Sequence, residues 1–389
     1  MLQDLADHSI DPPDRVDALD TPCLLLDEGR LDANIARMSR RLATLGVAFR
    51  PHLKTAKSLE VTRRVLTLPS GPATVSTLKE AEVFARAGVT DMIYAVGIAP
   101  AKLPRVAALR RAGIDIAIVA DSRAQAAAIA AASAEGTPLP TLIEIDCDGH
   151  RSGLTPDEGE EIVAIGRLLH AAGALRGVLT HAGGSYGDRT VAEYEASAER
   201  ERAAAEQAAE TLRAAGLLCP VVSVGATPTA LYGRDFTGVT EVRAGVFMFF
   251  DLVQAGVGVC TPEDIALSVL TTVIGHRKDR DWIIVDAGWM AMSRDLGTAS
   301  QAVNQGYGLV CGPDGRPFPD LIMIAANQEH GIISRRPGSE APIPDLPIGA
   351  KLRILPNHAC ATAAQHDGYV VVREGSDRTH GYWPRFRGW

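Results

Sequence analysis

The sequence predicts an α/β protein in which a (β/α)8 TIM-type barrel is followed by an antiparallel β domain. Eight short apolar, β-branched runs alternate with helical segments between about residue 45 and residue 258, which is the pattern of a parallel barrel. Beyond residue 258 the apolar runs are separated by turns and show little helical periodicity, which favours antiparallel strands. A barrel takes about 250 residues, so the 389 residues of the chain accommodate one barrel and one smaller domain.

The apolar runs set the predicted order of elements. We place the barrel at residues 30–258 and the β domain at residues 259–389, with the N-terminal segment 1–29 packed on the β domain. The barrel strands are expected in the runs VAFRPHLKT, PATVSTL, DMIYAVG, DIAIVADS, TLIEIDCD, RGVLTHAGG, PVVSVGAT and EVRAGVFMFF. The strands of the β domain are expected in IALSVLTTVIGH, DWIIVDAGW, GYGLVCG, LIMIAANQEHG, KLRILPNHAC and YVVV.

The composition favours an enzyme acting on small molecules over a protein that binds nucleic acid or a membrane. The chain has 39 Lys plus Arg against 47 Asp plus Glu, a net charge of −8, and no basic run that would neutralise phosphates. No apolar stretch reaches the roughly 18 residues of a membrane span, since Asp251 and Gln254 interrupt the best candidate. The acidic N-terminal stretch lacks a signal-peptide core, and the six cysteines form no CxxC pair, so we expect a cytoplasmic protein with reduced thiols.

Polar residues concentrate just after the predicted barrel strands. Active sites of such barrels are built from the C-terminal strand ends and the loops that follow them. The candidate residues in these positions are Lys54, Arg151, His181, Tyr186, Ser223, Gly225, Thr227, Arg243, Gly245 and Val246. Because the strands are parallel, we expect these residues to surround one mouth of the barrel.

Lys54 and the loops after the seventh and eighth strands favour pyridoxal phosphate as the cofactor. A desolvated lysine at a strand end can form a Schiff base with a carbonyl. The stretch 225–229 predicts Thr227 as a helix N-cap with Pro228 at the first helical position, and such a helix N-terminus suits phosphate. Gly245 follows the adjacent strand. Taken singly, each feature also fits a structural role, as a solvated surface lysine or a tightly packed glycine turn.

His358 and Cys360 form a candidate metal pair. At a separation of two residues, an imidazole and a thiolate can lie on one side of an extended segment and ligate a borderline-soft cation such as zinc. Two ligands are too few for a closed structural site, so other residues, or water and substrate, would complete the coordination. A buried cysteine beside a hydrogen-bonded histidine is the alternative interpretation of the same spacing.

Several strings that occur together resemble those of fold-type III pyridoxal-phosphate enzymes, over nearly the whole chain. They are RPHLKT (50–55), VSTLKEAE (75–82), DGHRSG (148–153), THAG (180–183), SVG (223–225), VRAG (242–245), VDAGWMAMSRD (285–295), NQEHG (327–331) and PNHAC (356–360). Within this alanine racemase-like family, the chain resembles the metal-activated D-amino-acid branch, which holds D-serine dehydratases, D-threo-3-hydroxyaspartate dehydratases and D-threonine aldolases.

The resemblance implies a role for each residue of the barrel. Lys54 would hold the cofactor, and Lys57 is a weaker candidate because it lies about one helical turn further on. Arg151 would reach the cofactor phenolate oxygen, while Tyr186 and Arg243 are both candidates for contact with its pyridine nitrogen. The residues that would line the ring and the phosphate are His181, Ser223, Gly225, Thr227, Gly245 and Val246.

The resemblance also implies a reaction, the dehydration of a D-3-hydroxy amino acid to a 2-oxo acid and ammonia. His358 and Cys360 would bind zinc, or alternatively manganese, cobalt or magnesium, and the ion would act as a Lewis acid on the β-hydroxyl. Lys54 would be the base that removes the α-proton. The expected substrate is D-threo-3-hydroxyaspartate, which would give oxaloacetate, and D-serine would give pyruvate.

Three alternatives stay open on the sequence. An aldolase would break the Cα–Cβ bond with the same cofactor, but aldolases of this branch tend to carry His-Cys-Asp where this chain has His358-Ala359-Cys360. An amino-acid racemase needs a second base, usually a tyrosine of the β domain, for which the sequence shows no clear match. A non-catalytic pyridoxal-phosphate carrier would need only Lys54 and the phosphate loops, and it normally lacks the β domain. Members of the family generally form homodimers, and we expect one here.

Overall fold

The structure, a computed structural model, describes residues 12–66, 70–134 and 136–389. Contacts divide the chain into two units. The barrel unit comprises Arg37–Lys54, Thr62–Gly245 and Gly388–Trp389, and the β unit comprises residues 12–36, Thr55–Val61 and Val246–Arg387. Residues 246–258 therefore group with the β unit, whereas the predicted barrel ends at residue 258. Residues 1–11 of the predicted N-terminal segment lie outside the described residues.

Strands and helices alternate in the barrel unit and strands predominate in the β unit. In chain order the strands are β1 (Cys23–Asp27), β2 (Ala48–Pro51), β3 (Ala73–Val75), β4 (Asp91–Gly97), β5 (Asp115–Ala120), β6 (Thr141–Ile145), β7 (Leu175–Thr180), β8 (Val221–Val224), β9 (Glu241–Ala244), β10 (Leu267–Arg277), β11 (Trp282–Val285), β12 (Gly308–Cys311), β13 (Pro317–Ala326), β14 (Gly331–Arg335), β15 (Lys351–Pro356), β16 (Gly368–Val372) and β17 (Thr379–Pro384).

The α-helices are mostly short, and none of those in the described residues has the length and apolarity needed to cross a bilayer. They are α1 (Glu28–Thr44), α2 (Leu59–Val65), α3 (Leu78–Arg86), α4 (Leu103–Arg111), α5 (Arg123–Ser133), α6 (Gly159–Ala171), α7 (Val191–Ala214), α8 (Thr227–Tyr232), α9 (Leu252–Val257), α10 (Trp289–Met292) and α11 (Ala359–Ala363). Short 3-10 helices lie at Val16–Ala18, Pro100–Lys102, Gly183–Gly187, Val246–Met248, Pro262–Asp264 and Lys278–Arg280.

Strands β2 to β9 form the predicted parallel barrel. They pair in the order β2-β9-β8-β7-β6-β5-β4-β3, and an isolated parallel bridge between His52 and Thr74 makes the barrel nearly closed. Each of the eight predicted runs overlaps one of these strands, which confirms the (β/α)8 class. The strands are rich in Val, Ile, Leu and Ala and are mostly buried, as expected where both faces of a parallel sheet are covered.

The β unit contains a nine-stranded sheet in the order β11-β14-β13-β12-β15-β10-β1-β16-β17. Strand β10 also pairs with β11, so six of these strands form a barrel-like closure. The prediction of antiparallel pairing is correct except between β1 and β16, which are parallel. The sequence prediction missed β1, β14 and β17. Strand β1 was not predicted because its partner strands are far away in the chain. Leu25 lies opposite Ser268 of β10 and Val370 of β16.

We predict that replacing Gly177 with alanine destabilises the barrel. Gly177 lies in β7 with a φ of +152°, and a Cβ there would lie 1.9 Å from the Val221 carbonyl oxygen of β8. Because the obstacle is backbone, the substitution should lower the free energy of unfolding by about 2–4 kcal/mol. Gly173→Ala is the control, since Gly173 has a φ of +64° but nothing within 4 Å of its Cβ position. Urea unfolding measures both, and equal losses would contradict the steric account.

Candidate active site

Lys54 follows the C-terminal end of β2 in a tight turn. The Leu53 N–H donates to the Thr74 carbonyl of β3 (2.9 Å), the Lys54 N–H donates to His52 Nδ1 (3.5 Å), and the Lys54 side chain is exposed. Lys57 is not one helical turn further on, because the chain forms a non-helical turn in which the φ of Lys57 is +46°. The structure thus places Lys54, the predicted cofactor lysine, at a strand end.

Two neutral imidazoles belong to the same end of the barrel unit. His181 Nδ1 donates to the Gly225 carbonyl (2.7 Å), so its proton is on Nδ1 and its Nε2 carries the lone pair. Burial, reinforced by nearby cations, lowers the pKa of His181 to about 3. Burial likewise lowers the pKa of His52 well below its ordinary value, and the charges of Lys54 and Arg243 add to the shift. The same two cations affect both imidazoles, so these four side chains form one cluster.

Arg151 and Tyr186 lie in the loops after β6 and β7. Arg151 is exposed, and after burial its charge is the largest cause that lowers the pKa of His181, which puts the guanidinium near that imidazole. Tyr186 is half-buried in the 3-10 helix of the second loop. The Gly184 N–H of this helix donates to Asp148 Oδ2 (2.7 Å), so the two loops are tied together.

Glu201 holds the loops that carry His181 and Gly225. It lies on α7, and its carboxylate is buried. Oε1 accepts hydrogen bonds from the N–H groups of Ala182 (2.8 Å) and Gly225 (2.9 Å), and Oε2 accepts from the Thr229 hydroxyl (2.6 Å). Burial raises the pKa of Glu201, and the three donors oppose that rise. Sequence reasoning missed Glu201, because it is one of six glutamates on a long helix and no motif marks it.

The loop after β8 leads into α8 with one difference from the prediction. The N-cap is Ala226 and not Thr227, because the backbone of Ala226 is extended (φ −133°, ψ 163°) and the helical conformation begins at Thr227. Thr227 is therefore the first helical residue and Pro228 the second. The buried Thr227 hydroxyl finds no hydrogen-bond partner among the residues described. A buried hydroxyl left unsatisfied at the start of a helix fits a phosphate-bearing ligand such as pyridoxal phosphate.

Arg243 is buried in the barrel and oriented by a chain of hydrogen bonds. Its Nε donates to Ser223 Oγ (2.9 Å), and its terminal nitrogen donates to the Thr180 carbonyl. The Ser223 hydroxyl, predicted to line the cofactor, donates in turn to Glu241 (2.8 Å), which also pairs with Arg50 (2.7 Å). Burial lowers the pKa of Arg243, and neighbouring carboxylates oppose this shift. Sequence reasoning missed Glu241, although a glutamate in a strand buried on both faces is a signal of an internal ion pair.

Gly245 and Val246 directly follow β9, and both are half-buried. Gly245 is the last residue of its segment of the barrel unit, and Val246 begins a 3-10 helix of the β unit. Tyr186 and Arg243 both stay candidates for the pyridine nitrogen of the cofactor.

His358 and Cys360 meet in the β unit, in a local conformation that differs from the extended one predicted. His358 is the N-cap of α11 and Cys360 lies in its first turn, because the helix begins directly after β15 and Asn357. His358 Nδ1 donates to Asp295 Oδ2 (2.7 Å). The pKa of His358 is raised to about 11, first by this hydrogen bond and then by the one with Cys360. A carboxylate and a thiol therefore both form hydrogen bonds with the His358 side chain.

The tripeptide 358–360 is also fixed from two other directions. Thr55, the residue after Lys54, shares a hydrogen bond with Cys360 (Oγ1 to Sγ, 3.2 Å). The Ala359 N–H donates to the buried Asp251 (2.9 Å), and burial raises the pKa of Asp251 to about 6. An imidazole nitrogen and a thiol sulfur are donors that zinc prefers, so the pair fits a divalent metal. The described part of the chain shows no cluster of three or more His, Cys, Asp or Glu side chains suited to a metal, so water or substrate would complete the coordination.

Two family descriptions match the chain. The family "Alanine racemase, N-terminal domain" matches residues 26–253, which contain strands β2 to β9 and Lys54. A serine dehydratase domain matches residues 266–372, which contain His358 and Cys360. The two matches together cover every candidate site residue.

Relatives of known activity extend over nearly the whole chain. It is 55% identical to the D-threo-3-hydroxyaspartate dehydratase of Delftia sp. (strain HT23), a match that covers 95% of this chain and 98% of the relative. It is 31% identical to a 3-hydroxy-D-aspartate aldolase of Paracoccus denitrificans (strain Pd 1222), with 94% of this chain and 91% of the relative covered.

Solved structures show the same likeness. A cysteine-to-alanine variant of D-threo-3-hydroxyaspartate dehydratase in a metal-free form has a TM-score of 0.93, 53% identity, and coverage of 97% of this chain and 100% of the other. A histidine-to-alanine variant of that enzyme has a TM-score of 0.94, 52% identity, and full coverage of both chains. The two altered positions lie two residues apart, as His358 and Cys360 do here.

We predict that Glu201→Ala weakens both the fold and cofactor binding, whereas Glu201→Gln has a small effect. Alanine leaves the N–H groups of Ala182 and Gly225 unsatisfied, at about 1–3 kcal/mol for each. Glutamine keeps an oxygen for both N–H groups, and its NH2 can donate to the Thr229 hydroxyl. Unfolding in urea and titration of the metal-free protein with pyridoxal phosphate measure the two effects. Equal losses in the two variants would contradict the proposed role of the hydrogen bonds.

Proposed function

From the premise that the chain belongs to the alanine racemase-like family, in its branch of D-3-hydroxy amino acid dehydratases and aldolases, we propose that it dehydrates D-threo-3-hydroxyaspartate to oxaloacetate and ammonia. The proposed cofactors are pyridoxal phosphate, held by Lys54, and a divalent ion, zinc first, held by His358 and Cys360. Such an enzyme is a lyase, because the carbon–oxygen bond is broken by elimination.

The observation that carries the proposal is the meeting of His358 and Cys360 beside Thr55, the chain neighbour of Lys54. Hydroxide is a poor leaving group, and a Lewis acid on its oxygen stabilises the charge that develops as the bond breaks. An imidazole and a thiolate supply two of the four ligands of a catalytic zinc site and leave positions open for substrate. The metal-free form of a cysteine variant of the dehydratase supports the assignment of the ion to such a pair.

The residues of the barrel unit have complementary tasks. When bound, pyridoxal phosphate would supply an electron sink for the charge at Cα. Lys54 Nζ would accept the α-proton. His181 stays neutral at physiological pH because of its lowered pKa, so it adds no charge beside the ring of the cofactor. The Thr227 hydroxyl would donate to the phosphate, and Arg151 would neutralise the phenolate oxygen.

The proposed products balance the reaction. Loss of water across Cα–Cβ gives an enamine, which tautomerises to an imine and takes up water to release ammonia and a 2-oxo acid. D-Serine would give pyruvate by the same steps. A substrate with a second carboxylate calls for a cation, and Arg294, exposed and stacked on Trp289 (4.7 Å to the ring centroid), is one candidate and Lys57 another.

Retro-aldol cleavage is the second candidate function, because an aldolase relative spans the chain. It would use the same cofactors but release an aldehyde. We favour dehydration because the higher identity is to a dehydratase and because His358-Ala359-Cys360 departs from the His-Cys-Asp of aldolases in this branch.

The buried Tyr369 of the β unit does not offer the second base of a racemase. Its hydroxyl donates to the Ala56 carbonyl (2.6 Å). Burial raises its pKa, which disfavours the phenolate that would accept a proton. This tyrosine therefore gives no support to racemisation.

We also propose that the chain works as a cytoplasmic homodimer. The family resemblance is the reason for the dimer, and the six cysteines without a CxxC pair, which favour reduced thiols, are the reason for the cytoplasm. Light scattering of the purified protein would contradict the dimer if it gave the mass of a single chain, 41.2 kDa.

We predict that the metal- and cofactor-replete protein releases ammonia without aldehyde from D-threo-3-hydroxyaspartate. D-Serine and D-threonine are assayed separately, and the fastest substrate identifies the preferred one. Aldehyde without ammonia would show that the protein is an aldolase. Release of neither product from any of the three substrates would overturn the proposed function.

We predict that Cys360→Ala removes the metal and the turnover but retains the absorbance of the bound cofactor. The thiolate is one of two proposed protein ligands, whereas the proposed cofactor contacts other than Val246 lie in the barrel unit. Cys23→Ala is the control, because Cys23 is also a half-buried cysteine of the β unit but lies in β1. Metal analysis and kinetics measure the effect, and full activity of the metal-free variant would contradict the metal assignment.

A further inference from the structure

We propose that Asp295 is a positioning residue that prepares His358 to bind the metal, an inference that rests on the metal-dependent function proposed above. His358 Nδ1 donates to Asp295 Oδ2 over 2.7 Å. A metal-bound imidazole is neutral and carries one proton, so a carboxylate that keeps this proton on Nδ1 directs the Nε2 lone pair to the ion. The carboxylate also makes Nε2 a more basic ligand.

Asp295 is itself held in place through both its side chain and its backbone. Its second carboxylate oxygen, Oδ1, accepts from the Gly297 N–H (2.7 Å), so neither oxygen can turn away without breaking a hydrogen bond. Its backbone carbonyl accepts from Asn357 Nδ2 (3.0 Å). The carboxylate therefore has a defined orientation toward His358.

Asn357 connects the ligand segment to the loop that carries Asp295. The Asn357 side chain is buried, and its Nδ2 donates a second hydrogen bond to the Gly306 carbonyl (2.7 Å) while its Oδ1 accepts from the Thr298 hydroxyl (3.0 Å). Asn357 directly precedes His358. The Asn357 side chain therefore holds the loop that carries Asp295, and Asp295 in turn holds the His358 imidazole. Such a reciprocal arrangement fixes the ligand before the ion arrives.

The other members of the tripeptide are fixed independently. The Ala359 N–H is bound by Asp251 and the Cys360 thiol by Thr55. Without Asp295 the imidazole would keep only its hydrogen bond with Cys360, because the other neighbouring hydrogen bonds hold the backbone and the thiol. Removal of Asp295 is therefore expected to affect the ligand histidine and to leave the rest of the segment in place.

The test is a cobalt(II) titration of the full chain, stripped of metal but holding pyridoxal phosphate. The readouts are the thiolate-to-cobalt absorption band and the dissociation constant of the ion. We expect Asp295→Ala to weaken cobalt binding by about 10–100-fold, with the cofactor absorbance unchanged. Asp295→Asn should lose less affinity, because an amide oxygen still accepts from Nδ1.

Asp286→Asn is the matched control. Asp286 is an aspartate of the same unit that accepts three hydrogen bonds, from the hydroxyls of Thr21 and Thr271 and the N–H of Thr272, at 2.6–2.8 Å. Its replacement should cost stability but leave cobalt affinity unchanged. A purely structural role for Asp295 would make the two asparagine variants alike.

The outcomes separate the two proposals. If both Asp295 variants bind cobalt with wild-type affinity and Cys360→Ala loses the thiolate-to-cobalt band, the positioning role is overturned but the metal site is supported. Absence of the thiolate band in the wild-type protein would overturn the metal site itself. If Asp295→Ala does not fold, the comparison of Asp295→Asn with Asp286→Asn decides the question.

Discussion

The hydrogen bond between His358 and Asp295 is the interaction on which the proposed metal chemistry depends. An imidazole can rotate and exchange tautomers, and each change removes the lone pair from where an ion needs it. The carboxylate of Asp295 prevents both changes, and the side chain of Asn357 keeps that carboxylate in place. A two-residue metal site has few ligands, so the orientation of each one matters more than in a closed four-ligand site.

In the barrel unit, buried carboxylates hold the residues of the candidate site in place. Burial of the Glu201 carboxylate costs free energy, but its oxygens accept hydrogen bonds from two backbone N–H groups and a hydroxyl. Glu241 likewise lies between Arg50 and the Ser223 hydroxyl, which in turn orients Arg243. These acids hold loops and a guanidinium at the strand ends while leaving the Thr227 hydroxyl for a ligand.

The barrel was predictable from the sequence because its signal is local. Each of the eight strands is a short β-branched run followed by a helix, and parallel strands place their C-terminal ends together. Strand β1 was missed because its partners are far away in the chain. The conformation at His358 was also missed, since a spacing of two residues suits an extended segment and the first turn of a helix alike.

The candidate ligands were predictable from residue type, but the residues that position them were not. Lysine at a strand end and the His-x-Cys spacing have chemical meaning on their own. The role of Asp295 depends on a contact with a residue 63 positions away, and the role of Glu201 depends on contacts with two separate loops.

X-ray absorption of the zinc-loaded protein tests the central claim most directly. If Cys360 and His358 bind the ion, the zinc shell contains one sulfur at about 2.3 Å and at least one nitrogen at about 2.0 Å. A shell of oxygen and nitrogen without sulfur would contradict it.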